Sequence, residues 1–516
     1  MSDKHRLLHA FWPYLLIGAT LCALFYLSNY KGNWSFWADQ ELILGYNGLL
    51  INSGFPQEYL DHPGFISIRL LAVLLQIFQI LGVGEIATIE EFNHQPVIFS
   101  AMQYVVMVAR HQTLVFALAI CCLSFFLAKR LTKRNDLSLL ISALIFVSNG
   151  IFYHFTITRT ESFAYLFFIL SVIFFIYSFQ QERQVSFVRL AISFTFLFFG
   201  ALNKAQVLLF VPLYFSWGYY FISDATASRA VLVSKKINYF AIVCAAITFL
   251  MNVILYWNKS DGVSLFFNFA LIVFLNAYGY LLAHKRAYSP FVTIAILNIA
   301  FFLSYFLLNG ISQIANQGQS LFANIDNPIS MMRFITADAH PLGLIDRIAP
   351  TGDWYEKVTK FLLFFAKPIL ELFSKATAAT VFLVFSIAYL WYFRKTLSQS
   401  VKFFGIFCFT SYYLVALVNS VRYENAYHYV LFHEFFLLSY AVLLIYLLPT
   451  NQIKLKVASG LIFLIVFVNS VPYTNYFNWL KRKGHHPFCT SGLVDYHKRM
   501  DIEKIRQECL ISKTEH

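Results

Sequence analysis

Long apolar runs recur from one end of the chain to the other, separated by short polar turns. Most are roughly 17–22 residues long, the length a helix needs to cross a hydrocarbon core. The pattern predicts an all-α, polytopic transmembrane helical bundle of about thirteen spans. These fall near residues 8–28, 111–127, 137–154, 163–179, 187–202, 205–222, 238–256, 264–283 and 290–308. Four more follow near 378–394, 401–418, 429–447 and 456–471. Between the first two lies a polar-interrupted stretch, 29–110, and inside it residues 65–82 are apolar enough to pass for a further span.

Charge resolves that ambiguity. Basic residues cluster in every second short loop: Lys129, Arg130, Lys133 and Arg134; Arg229, Lys235 and Lys236; Lys285 and Arg286; Arg394, Lys395 and Lys402; Lys454 and Lys456. Such alternation marks the cytoplasmic side. With Lys4 and Arg6, it puts the N-terminus inside, and the first run, lacking a small-residue cleavage site, reads as a retained helix. If 65–82 crossed, the 129–134 cluster would lie outside; it therefore reads as an interfacial helix of the first outward loop.

Composition agrees with a chain in lipid. Hydrophobic residues make up 59% and charged residues 13% of 516, against about 25% charged in soluble domains. The net charge of +13 follows the loop alternation, so it points to a membrane rather than to nucleic acid. The expected organisation is a transmembrane module at 1–308, with its first outward loop at 29–110. An outward loop at 309–377 follows, with a basic amphipathic run over 355–375, then C-terminal spans at 378–471 and an outward polar tail at 472–516. Cys22, Cys121, Cys122, Cys244 and Cys408 fall in spans as small packing residues, whereas Cys489 and Cys509 sit in the tail, where a disulfide is allowed. CxxC, HExxH, EF-hand, Walker A and Rossmann patterns are missing, which argues against a nucleotide-driven cytoplasmic reaction.

Four polar constellations lie on the outward side. Asp39 and Glu41 open a segment whose apolar positions fit an interfacial helix. Asp61-His62-Pro63-Gly64 precedes the next helix. Arg159-Thr160-Glu161 forms a very short turn between spans, and Asn203-Lys204 forms another. Each has a bland reading: helix capping for the acids, a salt bridge for Arg159 and Glu161, a snorkelling lysine for Lys204.

Spaced along the first 215 residues or so, these motifs resemble the C-type (GT-C) glycosyltransferase superfamily, membrane enzymes that use polyprenyl-phosphate sugars. The resemblance is carried by Asp39-Gln40-Glu41 with the following segment to Asn52, Tyr59–Pro63, Arg110, Arg159-Thr160-Glu161, Gly200 with Lys204 and Pro212, and Arg422-Tyr423 with His428-Tyr429. Many relatives have adjacent acids where Gln40 intervenes here.

The resemblance implies transfer of a sugar (hexosyl or pentosyl) from the lipid donor to an acceptor hydroxyl on a glycan, lipid or protein. Asp39 is the expected base, with Glu41 and Glu161 assisting catalysis. Asp61, His62, Arg159, Lys204, Arg422 and His428 are expected to bind substrate, with Lys204 and Arg422 facing the donor phosphate. Relatives work with or without a divalent cation; Asp39 and Glu161 are the pair that would hold one. The expected location is a bacterial inner membrane with the site facing the periplasm. Two other classes fit less of the pattern. A flippase or secondary transporter would place its charges deep inside spans. An outer-leaflet polysaccharide polymerase or ligase would rely on outward groups such as Arg422, His428 and His433.

Overall fold

The computed structural model describes residues 3–31, 38–58, 64–132, 134–147, 157–179, 186–204, 353–375, 377–395 and 498–514, with isolated positions between. Among the described residues every regular element is an α-helix and there is no strand. In chain order they are α1 (Asp3–Lys31), α2 (Ala38–Asn52), α3 (Phe65–Ile80), α4 (Ile89–His94), α5 (Ile98–Thr132) and α6 (Asn135–Val147). Then come α7 (Thr160–Phe179), α8 (Phe187–Asn203), α9 (Trp354–Lys375), α10 (Thr377–Tyr392) and α11 (Ile502–Thr514). The expected spans at 8–28, 111–127, 163–179, 187–202 and 378–394 fall on α1, α5, α7, α8 and α10. α6 covers the first part of 137–154. The remaining expected spans lie outside the described residues.

Helix α5 is the organiser. Its 35 residues contain neither Gly nor Pro, so its hydrogen-bond ladder is uninterrupted over about 52 Å. Segments of α5 and α7, Ile98–Arg130 and Thr160–Ser178, are long and apolar enough to cross a membrane. Polar residues break the apolar surface of α5 at Arg110-His111-Gln112-Thr113, and Lys129 and Arg130 close it. Arg110 and Arg130 are twenty positions apart, about 30 Å along the axis.

The first fifteen residues of α5 carry a separate core. Leu42, Tyr46 and Leu49 of α2, Ile68, Leu71 and Leu75 of α3, and Ile89 and Phe92 of α4 pack with Ile98, Met102, Val105 and Ala109. Gly45 sits where α2 crosses α5; a Cβ there would stand 2.4 Å from Val105 Cγ1. α3 begins beside Gln112, whose Nε2 donates to Ser67 O at 2.8 Å. The turn after α3 brings Gly84 against Tyr104. Helix α3 therefore runs back toward the start of α5, away from Lys129 and Arg130.

The C-terminal segment joins this core, although the sequence pattern separates a polar tail at 472–516 from the first loop. Met500, Ile505 and Cys509 are buried in it. Glu508 caps α5, its two carboxylate oxygens accepting from the backbone N–H of Ile98 (2.6 Å) and Phe99 (2.8 Å), which also sets a negative charge at a helix N-terminus. Arg499 donates from Nε to Glu58 at 2.9 Å and lies 3.9 Å over the Phe55 ring, while its N–H donates to the Tyr46 hydroxyl. Tyr46 in turn donates to Glu58 at 2.6 Å. Burial first, then that bond to a carboxylate, raises the phenol above its ordinary range. Cys489 and Cys509 form a disulfide.

At the far end of α5 the surroundings are basic. Arg130 lies 5.6 Å from the centre of the Tyr177 ring, and Arg189 donates to the Tyr177 carbonyl at 3.2 Å. α7 and α8 pack closely as an antiparallel pair, with Ser193 Oγ donating to Ser171 O at 2.7 Å. One end of this bundle thus gathers Arg130 and Arg189, and the other gathers Glu161 and Lys204.

Candidate functional site

Where α2, α3, α5, α7 and α8 converge, charged side chains are buried together. Glu41, in the first turn and a half of α2, is fully buried. Its two oxygens accept from Arg110 Nε at 2.9 Å and Nη2 at 2.7 Å, a bidentate pair. Oε1 also accepts from the backbone N–H of Thr158 at 2.8 Å. One carboxylate thereby ties α2 to α5 and to the turn that opens α7. Burial of such a pair requires this degree of satisfaction, since an unmatched charge costs several kcal/mol, on the order of 3–5 when one partner is lost.

A second pair lies on the neighbouring turns. Lys204 Nζ is 2.7 Å from Glu161 Oε1, and both side chains are under a tenth exposed. Glu161 stands in the first turn of α7, where the helix dipole favours an acid. Lys204 is the residue that ends α8, in extended conformation. Asn203 locks the two turns: Nδ2 donates to Thr160 O at 2.7 Å, and Oδ1 accepts from the backbone N–H of Ser67 at 3.5 Å. Ser67 in turn donates to Gly64 O at 2.8 Å. Gly64 has φ +38°, and a Cβ there would lie 2.4 Å from Thr160 Cγ2, so only glycine lets α3 start against the α7 turn.

Arg159, between the two pairs in sequence, is also buried, as are Thr158 and Ser162. Three cations (Arg110, Arg159, Lys204) and two carboxylates (Glu41, Glu161) are buried in this region. Two residues beyond Ser67, burial pulls the Arg69 guanidinium down to about 10.

The structure thus brings together Glu41, Arg159, Glu161 and Lys204 among the expected site residues. Asp39 lies in the first turn of α2, two positions before Glu41, with its side chain outside the described set. Asp61, His62, Arg422, His428 and His433 lie outside the described residues. Sequence reasoning did not single out Thr158, Ser67 or Gln112. Of these, Gln112 carried a signal, a polar residue two positions after Arg110 in an apolar helix. The partnership of Arg110 with Glu41, 69 positions apart, had none.

Among the described residues no group of three or more His, Cys, Asp or Glu side chains forms a metal-ligand set. Glu161, the acid expected to share a cation with Asp39, is engaged by Lys204. The chain matches no protein-family model, and no curated protein matches it.

Proposed function

We propose that the chain is a polytopic membrane glycosyltransferase, related to the GT-C superfamily, that moves a sugar from a polyprenyl-phosphate donor to an acceptor hydroxyl at the outer membrane face. One observation carries the reading: the buried Glu41–Arg110 and Glu161–Lys204 pairs meet at one end of an apolar bundle, about one hydrocarbon thickness from its basic end. Taking Lys129 and Arg130 as cytoplasmic puts Arg110 at the outer edge of the bilayer. The course of α3 back toward the start of α5 supports an interfacial helix rather than a crossing one. A lipid-linked donor delivers its head group to this level.

Chemically, the acceptor oxygen attacks the anomeric carbon as its proton passes to the Asp39 carboxylate. The carbon–oxygen bond to the lipid phosphate breaks, and the phosphate leaves with the electron pair. Cations near the leaving group stabilise that charge; Lys204 and Arg159 are placed in the cluster, and Arg422 is the further candidate. Glu161 holds Lys204 in place, so donor phosphate reaches the ammonium in competition with this carboxylate. Glu41 is assigned a positioning role, orienting Arg110 and the turn at Thr158. The multi-pass arrangement, a bacterial inner membrane and a periplasm-facing site belong to the same proposal.

The test is a panel of polyprenyl-phosphate sugars given to the purified protein with glycan, lipid and protein acceptors. Wild type consumes one donor, and Asp39→Asn abolishes transfer with an unchanged thermal midpoint. Transfer by the Asp39 variant at the wild-type rate removes Asp39 as base; no transfer by wild type from any donor overturns the enzyme reading in favour of a flippase.

A further inference from the structure

Helix α9 (Trp354–Lys375) has no part in the proposed chemistry, yet its surface is sharply divided. By periodicity, its charged positions Glu356, Lys357, Lys360, Lys367, Glu371 and Lys375 all fall within about one third of the circumference. Four of the six are basic. Pro368 and Leu372 are buried on a second face, where Thr380 Oγ1 of α10 donates to Leu372 O at 3.0 Å. The third face, between these two, is apolar and exposed: Tyr355, Leu362, Leu363 and Leu370, with Leu362 61% and Leu370 64% accessible. In water such a face would be a liability.

We infer that α9 is an anionic-lipid-binding helix that lies flat in the outer leaflet, its apolar face in the acyl boundary and its lysines among acidic head groups. Two observations select lipid over a protein partner. First, α9 runs with a single intervening residue into α10, whose sixteen residues include no charge. Second, α10 ends in exposed Trp391 and Tyr392, with the Arg394 guanidinium 4.3 Å over the Trp391 ring, the aromatic-and-basic ending of a membrane-embedded segment. The apolar face of α9 is thus beside an element of lipid-facing composition, and its excess lysine matches acidic head groups. The inference rests on the membrane reading above but not on the transfer chemistry.

The full chain is placed in nanodiscs of phosphatidylcholine, with or without phosphatidylglycerol. A fluorescent amino acid is introduced at Leu362, at Glu356 on the charged face, or at Val115, an exposed position of α5 five residues inward from Arg110. Lipid-attached doxyl and aqueous iodide serve as quenchers. The expected result is doxyl quenching at 362 several-fold above that at 356. It should strengthen with phosphatidylglycerol, and the strengthening should vanish in Lys357→Glu/Lys360→Glu. Iodide quenching at 362 equal to that at 356, with Val115 still quenched by doxyl, overturns this inference alone. Equal doxyl quenching in both lipid compositions overturns its anionic part. Loss of doxyl quenching at Val115 as well overturns the membrane reading itself.

Discussion

Glu41 and Arg110 share two hydrogen bonds, at 2.9 and 2.7 Å, across the crossing of α2 and α5, with neither side chain more than 5% exposed. Removing one partner strands the other charge. Glu41→Leu and Arg110→Leu should each cost about 3–5 kcal/mol, and the double variant should recover a large part of the sum. Thermal unfolding of the four proteins in one detergent checks it; additive losses would show the pair to be uncoupled.

Gly64 combines a left-handed backbone with the closest approach of α3 to the α7 turn. Gly64→Ala should lower stability by about 1–3 kcal/mol. Adding Thr160→Ser, which removes the opposing methyl, should return the steric part and leave the backbone part. An unchanged midpoint in Gly64→Ala would contradict the close approach.

Lys204 is held by Glu161 at 2.7 Å within the buried cluster. If the ammonium also meets the donor phosphate, Lys204→Met raises the donor KM about ten- to hundred-fold, the value of a charged hydrogen bond. Glu161→Gln, which frees the ammonium, should alter donor KM in the opposite direction. Equal donor KM in Lys204→Met and wild type removes Lys204 from phosphate recognition.

The Cys489–Cys509 disulfide closes a separation of 20 residues. Loop-closure entropy makes its removal cost about 3 kcal/mol. The double Cys→Ser variant should release Glu508 from the start of α5, read as faster hydrogen exchange at Ile98 and Phe99. Mass mapping without reductant should recover the crosslinked peptides; two free thiols would contradict the bond.

Glu91 supplies a pH signature for the core at the start of α5. Desolvation alone would raise its carboxyl, but hydrogen bonds from the Ala87 backbone, Gln79 and Thr88 outweigh it and hold the pKa below the usual 4.5. A carboxyl lowered on folding adds stability above its unfolded value and loses it as pH falls through the folded one. The thermal midpoint should therefore fall below pH 4.5, by a small amount because Glu91 is partly exposed. Glu91→Gln should flatten part of that fall; an identical acid slope would exclude Glu91 as its source.

Much of the fold was legible in the chain. Apolar runs of membrane-crossing length placed α1, α5, α7, α8 and α10, because helix formation in an apolar setting depends on local composition. The amphipathic run at 355–375 became α9 with a one-residue shift at its start. Of the site, the sequence by itself picked out the acids and bases, since ionisable groups stand out against so apolar a background: Glu41, Arg159, Glu161 and Lys204. Which of them meet was decided only in three dimensions. Arg110 finds Glu41, Lys204 finds Glu161, and a segment ending the chain caps α5 through Glu508 and a disulfide. Those pairings span 69, 43 and about 410 positions, and hydrophobic periodicity, a local property, holds no record of them. They exist because buried charges and helix-end N–H groups must be satisfied, and the partner is whichever group packing brings within reach.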